Sequence, residues 1–234
     1  MSTTPRPAAD WLDALPKDRL LAEISLWSAD LGRLIDDTKR IEPFTDILHV
    51  DVSDGHFSPA FLFFPDLLAS VRKVTAKPIH VHLMVTDNIL MNQVSQFVEA
   101  GADLISVHAE NVNAMEALAA IRAAGLKTGV VLQLHTAVKD AAHFVTHIDM
   151  FTLLGTRMGI KGVGLDDEAP ARLREARALV ANAGRRIIVA ADGGIREHTV
   201  PVLRAAGAET IVMGSLAFGA TDLPSRFAWV HGQK

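Results

Sequence analysis

Short apolar runs recur along the chain at Leu21–Trp27, Ile47–Val52, Ile79–Val85, Leu104–His108, Lys127–Leu134, Met150–Leu154, Arg186–Ala191 and Thr210–Met213. Each has the length of a β-strand. Between them, apolar residues fall at helical spacing over Asp30–Ile41, Pro65–Val74, Asn88–Ala100, Asn113–Ala124, Asp166–Ala183 and Arg196–Ala206. Gly101, Gly125, Gly184 and Gly207 follow four of these segments, where a helix end favours a residue free to adopt positive φ. Strand alternating with helix predicts parallel pairing through right-handed crossovers, either as a closed (β/α)8 barrel or as an open doubly wound sheet. Eight strands in 234 residues favour closure. An open sheet would also carry a phosphate fingerprint after its first strand, where this chain has Ser28-Ala-Asp-Leu-Gly32. The expectation is a single α/β domain, a (β/α)8 TIM barrel over residues 21–234, preceded by a short extension over residues 1–20. Within the extension, residues 1–10 are expected to be disordered and Trp11–Leu20 to form a short helix broken by Pro16. Its Trp11, Leu12 and Leu15 need a surface to cover.

Composition narrows the class. A hydrophobic content of 49% with 21% charged residues is that of a globular chain able to bury a large core. The formal charge of −4 offers no basic surface, so neither nucleic acid nor an anionic membrane is an expected partner. There is no cysteine, so any metal must sit on His, Asp or Glu. The first residues, Met-Ser-Thr-Thr-Pro-Arg-Pro, lack an apolar signal core, and no apolar run reaches a membrane span of about eighteen residues, so a cytoplasmic location is expected.

The chemistry-bearing residues sit where the strands end. In a strand, alternate side chains share a face, so His49 and Asp51 emerge together while Leu48, Val50 and Val52 cover the other side. Asp54-Gly55 and Pro59 then stop this strand and open a loop. His82, His108, Glu110 and Asp192 close other strands in the same way, and ring closure would gather them at one mouth, where barrels of this kind keep their active sites. His49, Asp51, His82 and Asp192 suit a divalent ion such as Zn²⁺, Mn²⁺, Fe²⁺ or Co²⁺, among which the ligands alone do not choose. His80, one pleat deeper, reads as a buried structural residue, and His108 and Glu110 either orient ligands or serve the fold. Gly193, Gly194, Gly214 and Ser215 follow the seventh and eighth runs, where barrel loops often cradle phosphate on backbone N–H groups. The glycine-rich Gly155–Gly164 loop lacks the ending of a P-loop and reads as a lid, from which Arg157 or Lys161 would meet an anionic substrate, or as a solvated loop.

Taken together, Ser25-Leu-Trp-Ser-Ala-Asp30, His49-Val-Asp-Val-Ser-Asp-Gly-His-Phe-Ser-Pro59, Val81-His-Leu-Met-Val85, Asp192-Gly-Gly194 and Gly214-Ser-Leu-Ala-Phe-Gly219 resemble the ribulose-phosphate 3-epimerase family in order and spacing. The resemblance implies a metal-dependent barrel that inverts C3 of a ketose phosphate, D-ribulose 5-phosphate or a related sugar phosphate, through an enediolate. It implies that His49, Asp51, His82 and Asp192 hold the metal and that Asp51 and Asp192 are the acid/base pair. Ser25, His82, Gly159, Gly162, Asp192, Gly193, Gly194, Gly214 and Ser215 match substrate or phosphate contacts, and Met84 matches one of the methionines around the reacting carbons. It also implies a homo-oligomer, with the apolar N-terminal segment as a candidate interface.

This chain departs from the family pattern at Ser53 and Leu154, where methionine is usual, and at the lid Arg157-Met-Gly-Ile-Lys-Gly162. Gln133-Leu134 and Pro59-Ala60 replace Asn-Pro and Pro-Asn. The metal and acid/base positions are kept while the substrate wall changes. Two alternatives therefore stand beside the epimerase: an isomerase or lyase of a shorter or branched sugar phosphate on the same scaffold, and a non-catalytic barrel that binds a sugar phosphate.

Overall fold

The computed structural model describes residues 4–233. All eight apolar runs form strands. In chain order the strands are β1 (Leu21–Ser25), β2 (Ile47–Asp54), the two-residue β3 (Phe61–Leu62), β4 (Ile79–Met84), β5 (Leu104–His108), β6 (Lys127–Leu132), β7 (Met150–Leu154), β8 (Ile188–Asp192) and β9 (Thr210–Met213). Except for β3, which pairs antiparallel with the end of β2, every strand runs parallel to its neighbours. β1 hydrogen-bonds both β2 and β9, and this closes the ring. The chain is a single-domain (β/α)8 barrel.

Helices α2 (Leu34–Ile41), α3 (Pro65–Arg72), α4 (Asp87–Ala100), α5 (Ala114–Ala123), α6 (Ala169–Val180) and α7 (Val200–Ala205) occupy the six segments of helical spacing. In α4 the stripe Leu90, Val94 and Phe97 is buried against the sheet, as an amphipathic helix requires. Gly101 then ends the helix at φ 112°, and a Cβ there would meet Arg72 Cγ at 2.8 Å. The expected Asp30–Ile41 helix opens instead with a 3-10 turn, Leu31–Arg33, because the Asp30 carboxylate accepts from Gly32 N and holds the first turn tight. The 3-10 run Val138–His147 and the last helices α8 (Ser215–Phe218) and α9 (Leu223–His231) lie outside the six segments.

Two apolar layers build the interior. Outward residues such as Leu48, Val50 and Val52 of β2 pack beneath the helices. Inward residues at the amino ends of the strands, Leu21, Ile47, Leu104, Met150 and Ile188, form a separate floor with Trp11, Leu12 and Leu15. These last three belong to α1 (Trp11–Ala14) and the residue after it, so the N-terminal segment covers its own barrel rather than presenting an apolar face for a partner. Arg186 fastens it by donating to the carbonyls of Leu15 and Pro16 at 3.0 and 3.1 Å. Residues 4–10 are placed too, with Arg6 donating to Ala102 O at 3.0 Å, and the expected disorder of residues 1–3 lies outside the described residues. Above this floor the inward face carries buried polar residues, among them Glu23, His49, Asp51, His80, His82 and Ser106. Among the described residues no helix is long and apolar enough to cross a membrane.

Candidate metal centre and active site

The parallel register sets Asp51 of β2 beside His82 of β4, while Asp192 comes from β8, across the ring. Ligand atoms of His49, Asp51, His82 and Asp192 all lie within 4.8 Å of one another. His82 Nδ1 stands 3.6 Å from Asp51 Oδ1 and 3.7 Å from Asp192 Oδ2. His49 Nε2 is 3.2 Å from Asp51 Oδ1, and Ser25 Oγ donates to Asp51 Oδ2 at 2.6 Å. Four residues from three strands far apart in the sequence therefore meet at one point.

The hydrogen bonds behind this cluster fix which nitrogen faces it. Glu110 Oε2 accepts from His108 Nδ1 at 3.0 Å, which leaves His108 Nε2 as an acceptor. His82 Nε2 lies 2.9 Å from that atom and must donate. His82 Nδ1 consequently carries a lone pair, is buried, and has no hydrogen-bond partner. An orphaned imidazole lone pair beside two carboxylates and a second imidazole is the donor set of a divalent cation, and the residues fit one. His108 and Glu110 thus stand behind His82 and fix its orientation.

Electrostatics separate the two aspartates. Burial lifts Asp192 to about 6, with Asp51 adding to the rise against the opposing pull of the imidazoles. Burial also penalises the ionised Asp51, but His49 and His82 outweigh it and hold its pKa well below the usual carboxylate range. His49 shows the converse: burial disfavours its charge, and Asp51 and Glu23 overcome that and raise its pKa.

Above the cluster opens a cavity of about 320 Å³. Ser25, Met84, Gly193, Gly194, Gly214 and Ser215 line it, as do Asp51, His82 and Asp192. Arg157, Gly159, Lys161 and Gly162 of the Gly155–Gly164 loop line it as well. His49 is fully enclosed and does not line the cavity, and it meets the cluster through Asp51. Gly193 and Gly194 take φ of 86° and 71°, and a Cβ on either would strike Thr156 or Leu165, so only glycine fits there. An adjoining recess of about 300 Å³ is lined by Phe57, Pro59, Gln133, Leu134 and His135, and shares Leu154 and Arg157 with the main cavity. The family departures at Gln133, Leu134, Leu154 and Arg157 gather on this one wall.

Two participants escaped the sequence reading. Trp27 lines the cavity, and its carbonyl and ring both engage Lys161. Glu23 is fully buried in β1 and accepts from His49 Nδ1 at 2.7 Å and His80 Nδ1 at 2.5 Å. The signal was available: Glu23 is the one charge within Leu21–Trp27, two residues from Ser25 and so on the same inward face.

A profile described as the ribulose-phosphate 3 epimerase family matches residues 21–218. The chain belongs to the ribulose-phosphate 3-epimerase family. Members of this family of isomerases are similar to it over most of its length. The ribulose-phosphate 3-epimerase of Bacillus subtilis is 32% identical over 213 residues, spanning 90% of this chain and 97% of its own. That of Aquifex aeolicus is 34% identical over 182 residues, covering 77% and 81%. Among solved structures, 3-hexulose-6-phosphate synthase from Salmonella typhimurium superposes with a TM-score of 0.69 at 17% identity, over 91% of this chain and 97% of that one. At that identity the likeness is one of fold.

Proposed function

We propose that this epimerase-family barrel inverts C3 of a ketose phosphate, D-ribulose 5-phosphate or a close relative, with a divalent cation held by His49, Asp51, His82 and Asp192. The observation that carries the reading is the pair of carboxylates reaching the same His82 nitrogen from β2 and β8, strands that are not neighbours in the ring. Inverting a carbon beside a ketone needs a proton taken from one face and another returned to the opposite face. The arrival of Asp51 and Asp192 from separate parts of the ring supports assigning them these two roles.

Without the cation the two carboxylates already differ: the imidazoles keep Asp51 well below the usual carboxylate range, while burial raises Asp192 to about 6. In one direction Asp51 would serve as base and Asp192 as acid. In the reverse direction they exchange roles. Ser25, donating to Asp51 Oδ2, keeps that carboxylate aimed while its other oxygen faces the cluster. A bound Zn²⁺, Mn²⁺, Fe²⁺ or Co²⁺ would supply Lewis acidity, offsetting the negative charge that grows on the ketone oxygen by several kcal/mol. Gly193, Gly194, Gly214 and Ser215 would receive the phosphate on backbone N–H groups, and Met84 would pack against the apolar side of the reacting carbons. The lid, with Arg157 and Lys161 at its inner side, would exclude water.

The recess beside Gln133 and His135 favours one second reading: a sugar phosphate of different length or branching, handled by an isomerase or lyase that uses the same proton abstraction. Incubating the protein with tetrulose, pentulose and hexulose phosphates in heavy water separates the two. Deuterium at C3 with inverted configuration supports the epimerase, whereas carbon–carbon cleavage or aldose formation supports the other, and no uptake from any substrate would refute both.

A further inference from the structure

Glu23 is a carboxylate at the centre of the barrel, wholly enclosed, with no place in the proton transfer described above. We propose that Glu23 is the positioning residue that fixes His49 for the cation, by accepting from His49 Nδ1 and so committing Nε2 to the metal cluster. This rests on the reading of His49, Asp51, His82 and Asp192 as a metal site.

The geometry carries the assignment. One oxygen, Glu23 Oε1, receives both His49 Nδ1 at 2.7 Å and His80 Nδ1 at 2.5 Å. A carboxylate oxygen only accepts, so both rings carry their proton on Nδ1. His80 is then bound at its other end, where its Nε2 takes the proton of Ser106 Oγ at 2.6 Å. The same two contacts therefore hold Glu23 in place and leave it no freedom to turn away. His49 Nε2 is then the nitrogen turned toward the cluster, 3.2 Å from Asp51 Oδ1, and it would give up its proton to bind a cation there. Without Glu23 the His49 ring could flip about its last bond or take the other tautomer, and Nε2 would no longer be committed.

A second observation points the same way. Glu23 Oε2 is buried without any hydrogen-bond partner. An enclosed carboxylate with one oxygen unsatisfied costs stability, and the fold alone does not ask for it, since the floor layer beneath is closed by apolar residues. The charge is kept for what it does to His49. Carboxylates behind histidine ligands serve this purpose elsewhere, and their loss weakens metal affinity about 10–100-fold.

The test uses metal-stripped full-length protein titrated with Zn²⁺ by calorimetry, with no substrate present. Wild type is expected to bind one Zn²⁺ per chain. Glu23→Ala should bind about 10–100-fold more weakly, and Glu23→Gln, whose amide oxygen still accepts, should fall between them. In ¹⁵N spectra of the loaded wild type, His49 should show a protonated Nδ1 and a metal-bound Nε2, a measurement that stands even if Glu23→Ala fails to fold. Wild-type affinity in Glu23→Ala overturns the proposal alone. So does a His49 bound through Nδ1, or two Zn²⁺ per chain, which would make Glu23 a ligand. A wild type that takes up no Zn²⁺ overturns the metal reading and this proposal with it.

Discussion

Lys161 Nζ lies 4.5 Å from the centre of the Trp27 ring and donates to the Trp27 carbonyl at 2.7 Å, tying the lid loop to the turn after β1. The two contacts together are worth about 1–2 kcal/mol. Lys161→Ala should therefore loosen the closed lid roughly 5- to 30-fold, at about 1.4 kcal/mol per factor of ten. The expected outcome is a lower kcat/KM with unchanged thermal stability, together with faster proteolytic nicking between Gly159 and Gly162. Unchanged kinetics and nicking would show that Lys161 does not latch the lid.

Glu110 reaches the cluster through two histidines, with His108 passing its orientation to His82. Burial opposes its ionised form, but hydrogen bonds from His108 and Thr136 prevail and hold its pKa at about 2. Glu110→Ala should release His108 and weaken Zn²⁺ binding about 10–100-fold. Unaltered affinity by calorimetry would place Glu110 outside the metal's support.

Removing the cation should cost stability as well as activity. At a free concentration a hundred times Kd, the ion contributes about 2.7 kcal/mol. Chelation should therefore lower Tm by roughly 5–10 °C in a chain of this length. Re-addition of Zn²⁺, Mn²⁺, Fe²⁺ or Co²⁺ should restore both Tm and turnover, and a Tm indifferent to chelator would contradict a site built into the folded core.

Away from the site, Asp46 takes both arms of Arg19 at 2.7 and 2.8 Å and the Ala22 N–H at 2.9 Å. Burial raises its pKa, but Arg19, His231 and Ala22 outweigh that and hold it well below the usual carboxylate range. A depressed folded pKa gives stability that is complete above the unfolded value near 3.9 and fades as pH falls through the folded one. Asp46→Asn should lose roughly 1.5–3 kcal/mol at pH 7. It should also show a smaller further loss than wild type between about pH 4 and pH 2. Urea unfolding across that range checks both parts.

The barrel was legible because strand and helix differ in period, and eight repetitions leave few topologies. The candidate cluster was legible because His49, Asp51, His82 and Asp192 interrupt apolar strands at their carboxyl ends, where packing alone would favour Val or Leu. Glu23 was not seen because its value depends on His49 and His80 standing beside it, a relation of register between β1, β2 and β4 that no single strand displays. The surface that the N-terminal segment covers was hidden for the same reason. Trp11, Leu12 and Leu15 announce an apolar face, but only ring closure creates the floor they cover. Helix α9 carries just two buried residues, Phe227 and Val230, too short a stripe to register as a period.

The two-carboxylate scheme is tested most directly by following C3 exchange in heavy water for Asp51→Asn and Asp192→Asn, offered D-ribulose 5-phosphate and its C3 epimer in turn. Net inversion should fall by about 10²–10⁴ in each variant. Each should still exchange the C3 proton of one epimer, and the two variants should choose opposite epimers, because each keeps the base on one face only. Inversion at the wild-type rate in either variant, or both variants exchanging the same epimer, would contradict the account.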